Sequence, residues 1–340
     1  MHSSLAYFLS ECPLPKFLST ILLAASLPLM AAATVSAALP DSATSYPARS
    51  VRVVVPFVPG GSDIVARMMA PHLSEKLGQS FLVDNRPGAA SVVGTQIVAE
   101  STPDGYTLLF CTASLATTVA YMKKLPYDPT RDFAAVAMVG SVPFVLITHP
   151  ALPVKTVKDF IALAKKRPGD MFYSSPGTGG IGHLVNEYFA KQVGIQITHV
   201  AYKGTGPSLT ALLSGEVQFG MPNISGALTL VRANKVRTLG VAAAQRLSIA
   251  PEIATLRELG VDIVAGPWYG LVAPRGTPRQ IITILNQEIS ALVKHAEFGA
   301  KLAERGVVVE TKSPQEFSDF IKSDIQKWRN VMTAARIAQE

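Results

Sequence analysis

A chain of 340 residues exceeds one ordinary domain and is long enough for two, each with a core of its own. With 48% hydrophobic, 7% aromatic and 16% charged residues, it has a globular composition that excludes disordered and fibrous classes. The net charge of +7 is scattered, its densest cluster being Lys165, Lys166 and Arg167, and no basic run is interleaved with stacking aromatics, which argues against nucleic acid as a partner.

The N-terminus carries Lys16, an apolar stretch from Phe17 to Met30, and small residues ending Val35-Ser36-Ala37-Ala38. This pattern predicts a secretory signal over residues 1–37, cleaved after Ala37, and a periplasmic mature protein. A membrane anchor is the other reading, but Ser26 and Pro28 interrupt the run, which falls short of the ~20 residues a spanning helix needs. Cys12 follows Leu9-Ser10-Glu11, a poor setting for lipidation, and cleavage leaves Cys111 alone. A single thiol excludes an internal disulfide and a cysteine metal cluster, and in an apolar strand it reads as buried and inert.

The rest of the chain alternates short β-rich runs with longer helical patterns, the grammar of βαβ units and parallel sheets. Val51 to Phe57 is a continuously apolar strand, buried on both faces, broken by Pro59-Gly60-Gly61. Helix Ile64 to Leu77 follows with Asp63 placed to cap it and Pro71 placed to kink or shorten it. Next come strand Phe81 to Val83, helix Ser91 to Glu100, strand Tyr106 to Cys111, strand Phe144 to His149 and helix Val157 to Lys166. Further strands are expected at Met171 to Ser175, Ile197 to Tyr202, Val217 to Met221 and Val236 to Ala242. Between them lie helices Gly182 to Val193, Pro207 to Ser214 and Ser225 to Ala233. Strand Trp268 to Pro274 leads back to the first unit, followed by helix Pro278 to Lys294 and a last helix from Pro314 to about Ile337. In that helix Phe317, Phe320, Ile321, Ile325 and Trp328 form one stripe, read as core. The expected architecture is α/β, with two Rossmann-like lobes, 46–148 plus 269–340 and 149–268, joined by two hinge crossings, the first at Thr148 to Pro150.

Two glycine-rich loops stand at strand ends. Pro56-Phe57-Val58-Pro59-Gly60-Gly61-Ser62-Asp63 leads into a helix N-terminus, where free amides and the helix dipole suit an anion. Asp63 has the simpler role of helix cap, with contact to an ammonium group as the other reading. Ser174-Ser175-Pro176-Gly177-Thr178-Gly179-Gly180-Ile181-Gly182 occupies the equivalent place in the second lobe. Gly177, Gly179 and Gly182 also satisfy G-x-G-x-x-G, the argument for an NAD-dependent enzyme. The next strand ends Val200-Ala201-Tyr202-Lys203-Gly204 without the acid that should hold a ribose, which weakens it. No G-x-S-x-G elbow occurs, and the histidines at 72, 149, 183, 199 and 295 lack metal-ligand spacing. His183 stands beside the second loop, either toward a ligand or as a surface or capping residue. The reading is a binder rather than an enzyme, with no cofactor and no metal.

The residues in order resemble a known family. Tyr46-Pro47 leads into Val-Pro-Phe-x-Pro-Gly-Gly at 55 to 61, then come Asp84-Asn85-Arg86-Pro87-Gly88-Ala89 and Pro103-Asp104-Gly105-Tyr106-Thr107-Leu108. Lys124-Leu125-Pro126-Tyr127-Asp128, Asp132-Phe133 and Tyr202-Lys203-Gly204 with Leu209 follow. Trp268-Tyr269-Gly270-Leu271, Ala273-Pro274 and Gly276-Thr277-Pro278 complete the set. Across the whole mature chain this is similar to the solute-receptor subunit of tripartite tricarboxylate transporters, the Bug family of periplasmic binding proteins. The resemblance implies a type II periplasmic-binding fold that closes by hinge motion on a small carboxylate, as a monomer, and presents it to integral-membrane permease subunits. A sensor that signals to a kinase is the alternative of another class. Carried over, the resemblance places the ligand against Phe57, Gly60, Gly61, Ser62 and Asp63 on one side and Ser174, Gly177, Thr178 and Gly179 on the other. Thr112, Ser114, Tyr202 and Asn223 are wall residues. One departure stands out: Gly61-Ser62-Asp63 is a residue shorter than the family's usual loop.

Overall fold

The computed structural model describes residues 46–337, so the expected signal segment lies outside the described residues. In chain order the strands are β1 (Val51–Val55), β2 (Phe81–Asn85), β3 (Thr107–Thr112), β4 (Phe133–Ser141), β5 (Val145–Thr148), β6 (Phe172–Ser175), β7 (Thr198–Ala201), β8 (Phe219–Gly220), β9 (Arg237–Val241), β10 (Trp268–Pro274) and β11 (Val308–Val309). The helices are α1 (Gly61–Leu77), α2 (Val92–Ala99), α3 (Ser114–Tyr121), α4 (Val157–Lys166), α5 (Ile181–Val193), α6 (Thr205–Leu213), α7 (Ile224–Arg232), α8 (Arg279–Lys294), α9 (Ala296–Glu304) and α10 (Pro314–Ala335).

The strands form two sheets of like design. The first is six-stranded, in the order β11-β4-β10-β3-β1-β2, and the second five-stranded, in the order β7-β6-β8-β5-β9. In each, parallel strands are flanked by one that runs the other way: β10 beside β3, and β5 beside β8. The parallel strands are covered on both faces. In β1, Val51, Val53 and Val55 face the core under α1 and α8, while Val54 faces the one built by α10. That alternation is the two-residue period of a strand expressed in a fully apolar run.

The stripe on α10 is core, as expected: Phe317, Ile321, Ile325 and Trp328 are buried, and Phe320 packs at its edge. Ser313 and Glu316 start the helix with reciprocal side-chain and backbone hydrogen bonds. Asp324, buried on the same helix, accepts from Trp268 Nε1 at 2.8 Å and pairs with Lys327 at 2.6 Å. This anchors the first residue of β10. Cys111 is buried in β3, where desolvation pushes its thiol well above the ordinary range.

Several expectations are corrected. Asp63 does not cap α1: Gly60 holds that position, and Asp63 sits inside the first turn. Pro71 neither ends nor shortens the helix, which runs unbroken past it to Leu77. Only the amide that would have reached the carbonyl of Arg67 is lost. Strand β5, expected in the first unit, hydrogen-bonds to β8 and β9, so the chain leaves the first sheet after Ser141 rather than at Thr148. It returns through residues 265–267. The two passages lie side by side, with Val142 N donating to Pro267 O at 2.8 Å and Phe144 N to Ala265 O at 3.0 Å. Gly266 permits this approach, since a Cβ there would meet the Val142 carbonyl.

The turn between β2 and α2 is strained. Ala89, Ala90 and Ser91 all have positive φ, at 44°, 52° and 89°. A left-handed L-residue costs about 1–2 kcal/mol, whereas glycine escapes that penalty and gives back about 0.5–1 kcal/mol in chain entropy. Ala90 is exposed, so its methyl contributes little packing. Ala90→Gly is therefore expected to stabilise the protein by ~0.5–1 kcal/mol, raising the thermal midpoint by ~1–4 °C. Calorimetry checks this, and a lowered midpoint would contradict the strain.

Candidate functional site

The ends of β1, β2 and β3 lie together because these strands are parallel neighbours, and ligands of open α/β sheets bind beyond such ends. From β1 the loop 56–60 enters α1, whose first internal hydrogen bond is Ile64 N to Gly60 O at 2.8 Å. The amides of Gly61, Ser62 and Asp63 make no hydrogen bond among the described residues, as helix geometry requires of a first turn. The loop is braced from behind. Arg67 donates to Asp63 Oδ1 at 2.9 Å and to Asn85 Oδ1 at 2.8 Å, and Asn85 Nδ2 donates to the Phe57 carbonyl at 3.0 Å. Asp63 thus spends its carboxylate on Arg67 and shapes the loop without facing outward.

A hydroxyl wall continues from it. Thr112 Oγ1 and Ser91 Oγ both donate to Ser114 Oγ, at 3.1 and 3.0 Å. Tyr269 pairs in register with Thr112, and its hydroxyl lies 3.4 Å from where a Cβ on Gly61 would stand. Phe57, Gly60, Gly61, Ser62, Thr112 and Ser114 are therefore drawn to one end of the first sheet. Ser91 and Tyr269 belong with them and were not selected from sequence. Tyr269 had a signal, its place in the Trp-Tyr-Gly-Leu motif; Ser91 had none.

The second loop leaves β6 and enters α5. It lines a cavity of about 330 Å³ at the same end of the second sheet. Of the expected residues, Ser174, Gly177, Thr178 and Asn223 line it, joined by Thr205 and Ser208, which sequence reasoning missed. Phe144 and Pro267, from the two passages between sheets, also line it. No charged side chain among the described residues lines it. Asn223 also caps α7, accepting from Gly226 N at 2.8 Å.

Two expected residues are placed elsewhere. Tyr202 donates its hydroxyl to Glu216 at 2.7 Å and lies outside the cavity lining. Gly179 is buried beneath the ring of Tyr121, the last residue of α3, and its amide donates to His183 Nδ1 at 3.0 Å. The Gly177 amide is turned inward too, to Ser175 Oγ at 3.3 Å. The amides of Thr178, Gly180, Ile181 and Gly182 make no hydrogen bond among the described residues. Helix α3 relates the two halves: Ser114 opens it in the hydroxyl wall and Tyr121 ends it on the second loop.

His183 is neither a surface residue nor a cap. It is buried and stacked on His199, with ring centroids 3.9 Å apart and planes 9° from parallel. Burial, and then the neighbouring His199, hold its imidazole down at about 4. Burial lowers His199 as well. No group of three or more metal-ligating side chains occurs among the described residues.

A family profile, the tripartite tricarboxylate transporter family receptor, matches residues 65–337. The chain belongs to this family. The receptor is 38% identical to protein BugT of Bordetella pertussis (strain Tohama I) over 304 residues, which is 88% of this chain and 93% of BugT. Among solved structures it resembles R. palustris Rpa4515 with adipate, at 36% identity and a TM-score of 0.74, covering 87% of this chain and all (100%) of that one. It also resembles MatC (Rpa3494) from Rhodopseudomonas palustris with bound malate, at 30% identity and a TM-score of 0.69, covering 84% and 99%. The two sheets of the receptor are thus the two lobes of a periplasmic-binding-protein fold.

Proposed function

We propose that the receptor is exported to the periplasm, captures a small carboxylate between its lobes, and delivers it to the membrane subunits of a tripartite tricarboxylate-type transporter. The observation that carries this is the pairing of two loops, each at the carboxyl ends of parallel strands and each offering helix-start amides with no partner among the described residues. The likeness to proteins holding adipate and malate supports the ligand class. The adjacent passages at 142–144 and 265–267 are the hinge in this reading, with the lobes meeting there. Hydrogen bonds to a charged group contribute about 1.5–3 kcal/mol each, so four give ~6–12 kcal/mol before association costs. Micromolar affinity needs about 8 kcal/mol, within reach of amides and hydroxyls without a salt bridge.

The test is a thermal shift with the mature protein, from residue 38, against adipate, malate, aromatic acids and acidic amino acids. At a hundredfold excess over Kd, an acid that binds only the folded state contributes about 2.7 kcal/mol, or ~5–10 °C. A shift with NAD and none with any acid would overturn the reading.

A further inference from the structure

We infer that His183 and His199 are positioning residues: stacked beneath the second glycine loop, they take the Gly177 and Gly179 amides out of service and leave those of Thr178, Gly180, Ile181 and Gly182 to face an anion. The role in ligand binding rests on the reading above; the loop geometry does not.

Two contacts set the loop. Gly179 N–H donates to His183 Nδ1 at 3.0 Å, so this ring is neutral and carries its proton on Nε2. His199 Nε2 lies 2.6 Å from Ser175 Oγ, which accepts from Gly177 N–H at 3.3 Å and donates to Gly177 O at 3.0 Å. Since the single hydroxyl proton goes to Gly177, His199 donates through Nε2. Each histidine therefore holds one glycine, and the parallel rings hold each other. Tyr173 extends the stack, its ring 4.9 Å from that of His199, and is fixed by its hydroxyl on Glu187 at 2.7 Å.

The Ser175 and His199 pair has the separation of a nucleophile and its base. Ser175, however, is fully buried and its hydroxyl is spent on its own loop. The pair is a brace, because no substrate reaches that oxygen without dismantling the turn. The glycine pattern itself explains the arrangement. Gly179 has φ +71° and takes the Tyr121 ring on one side, which points its amide back at the helix it precedes. A histidine in the first turn of α5 is at the right height to accept it.

The test separates hydrogen bonding from packing. His183→Asn keeps an acceptor near the Nδ1 position, whereas His183→Phe keeps the stacked ring and removes the acceptor. Calorimetric titration with adipate and malate is expected to find His183→Asn within about threefold of wild type and His183→Phe weakened at least tenfold, about 1.4 kcal/mol. Equal affinity of His183→Phe and wild type, or equal loss in both variants, would overturn the inference. Nitrogen NMR of the wild type gives a ligand-free reading. It should show His183 protonated on Nε2 alone, with a Gly179 amide that shifts when His183 is titrated. A proton on Nδ1, or an indifferent Gly179 amide, refutes the positioning role even if neither variant folds. If wild type binds neither acid but the NMR result holds, the carboxylate reading falls and the loop geometry stands.

Discussion

Gly179→Ala is expected to lower the thermal midpoint by ~6–10 °C, because two costs fall on one methyl group. The backbone there has φ +71°, and a left-handed alanine costs about 1–2 kcal/mol. The methyl would also collide with the ring of half-buried Tyr121, which must shift, and such overpacking costs about 1–3 kcal/mol. Together these give ~3 kcal/mol, with little room to relax because the amide is held by His183. Gly177 is the internal control. It too has positive φ, but nothing lies within 4 Å of its missing Cβ, so Gly177→Ala should cost less than half as much. Combining Gly179→Ala with Tyr121→Ala in a double-mutant cycle isolates the collision, and a coupling near zero would show that Tyr121 does not bear on the loop. Because Tyr121 ends the helix that Ser114 begins, the same substitution should weaken acid binding in the titration described above.

What could be read from the chain follows from how local each cause is. Helix α4 spans Val157 to Lys166 as expected, and its causes are local: Thr156 and Asp159 start it reciprocally and two lysines end it. Strands β1 and β10 were visible as apolar runs bounded by proline and glycine. Strand β4 was missed: its sequence, Phe-Ala-Ala-Val-Ala-Met-Val-Gly-Ser, suits a helix as well as a strand, and only pairing with β10 and β11 decides. Helices α3 and α9 are short, and β11 has two residues, too few to set a period. The sheet to which β5 belongs is a property of its partners, so no feature of 145–148 reveals it.

The glycine loops were legible for a local reason, paired glycines between an apolar strand and a helical pattern. Which amides face outward was not. That depends on a side chain four residues on, in His183, and on a neighbouring strand, in His199, which sits opposite Tyr173 in the parallel register. The Tyr202 hydroxyl is a similar case, since it is claimed by Glu216, three residues beyond the end of the following helix. Helix α1 begins at Gly61, which places Ser62 and Asp63 inside the first turn and gives the carboxylate to Arg67 rather than to the helix start.

Acid should destabilise the receptor through the same histidine that shapes its second loop. Folded, the His183 ring is held at about 4, by burial first and His199 second, while in the unfolded chain it returns to about 6.5. Between those values the unfolded chain binds a proton that the folded one refuses, so stability is complete above about 6.5 and falls as pH drops toward about 4. The ring is only 5% exposed, so solvent screens the effect little, and the loss reaches about 2–3 kcal/mol by about pH 4.5. His199, also lowered by burial, adds in the same direction. Glu187, one turn further along α5, opposes it, because burial raises its carboxyl and the folded state then gains by taking up a proton. Tyr173, beside both rings, does not titrate in this range, because burial pushes its phenol up. Urea unfolding at about pH 7 and pH 4.5 should therefore show wild type losing about 2–3 kcal/mol more than His183→Asn, which has no proton to take up at that position. An equal loss in both would mean that His183 is already charged in the folded protein, and a charged imidazole cannot accept the Gly179 amide.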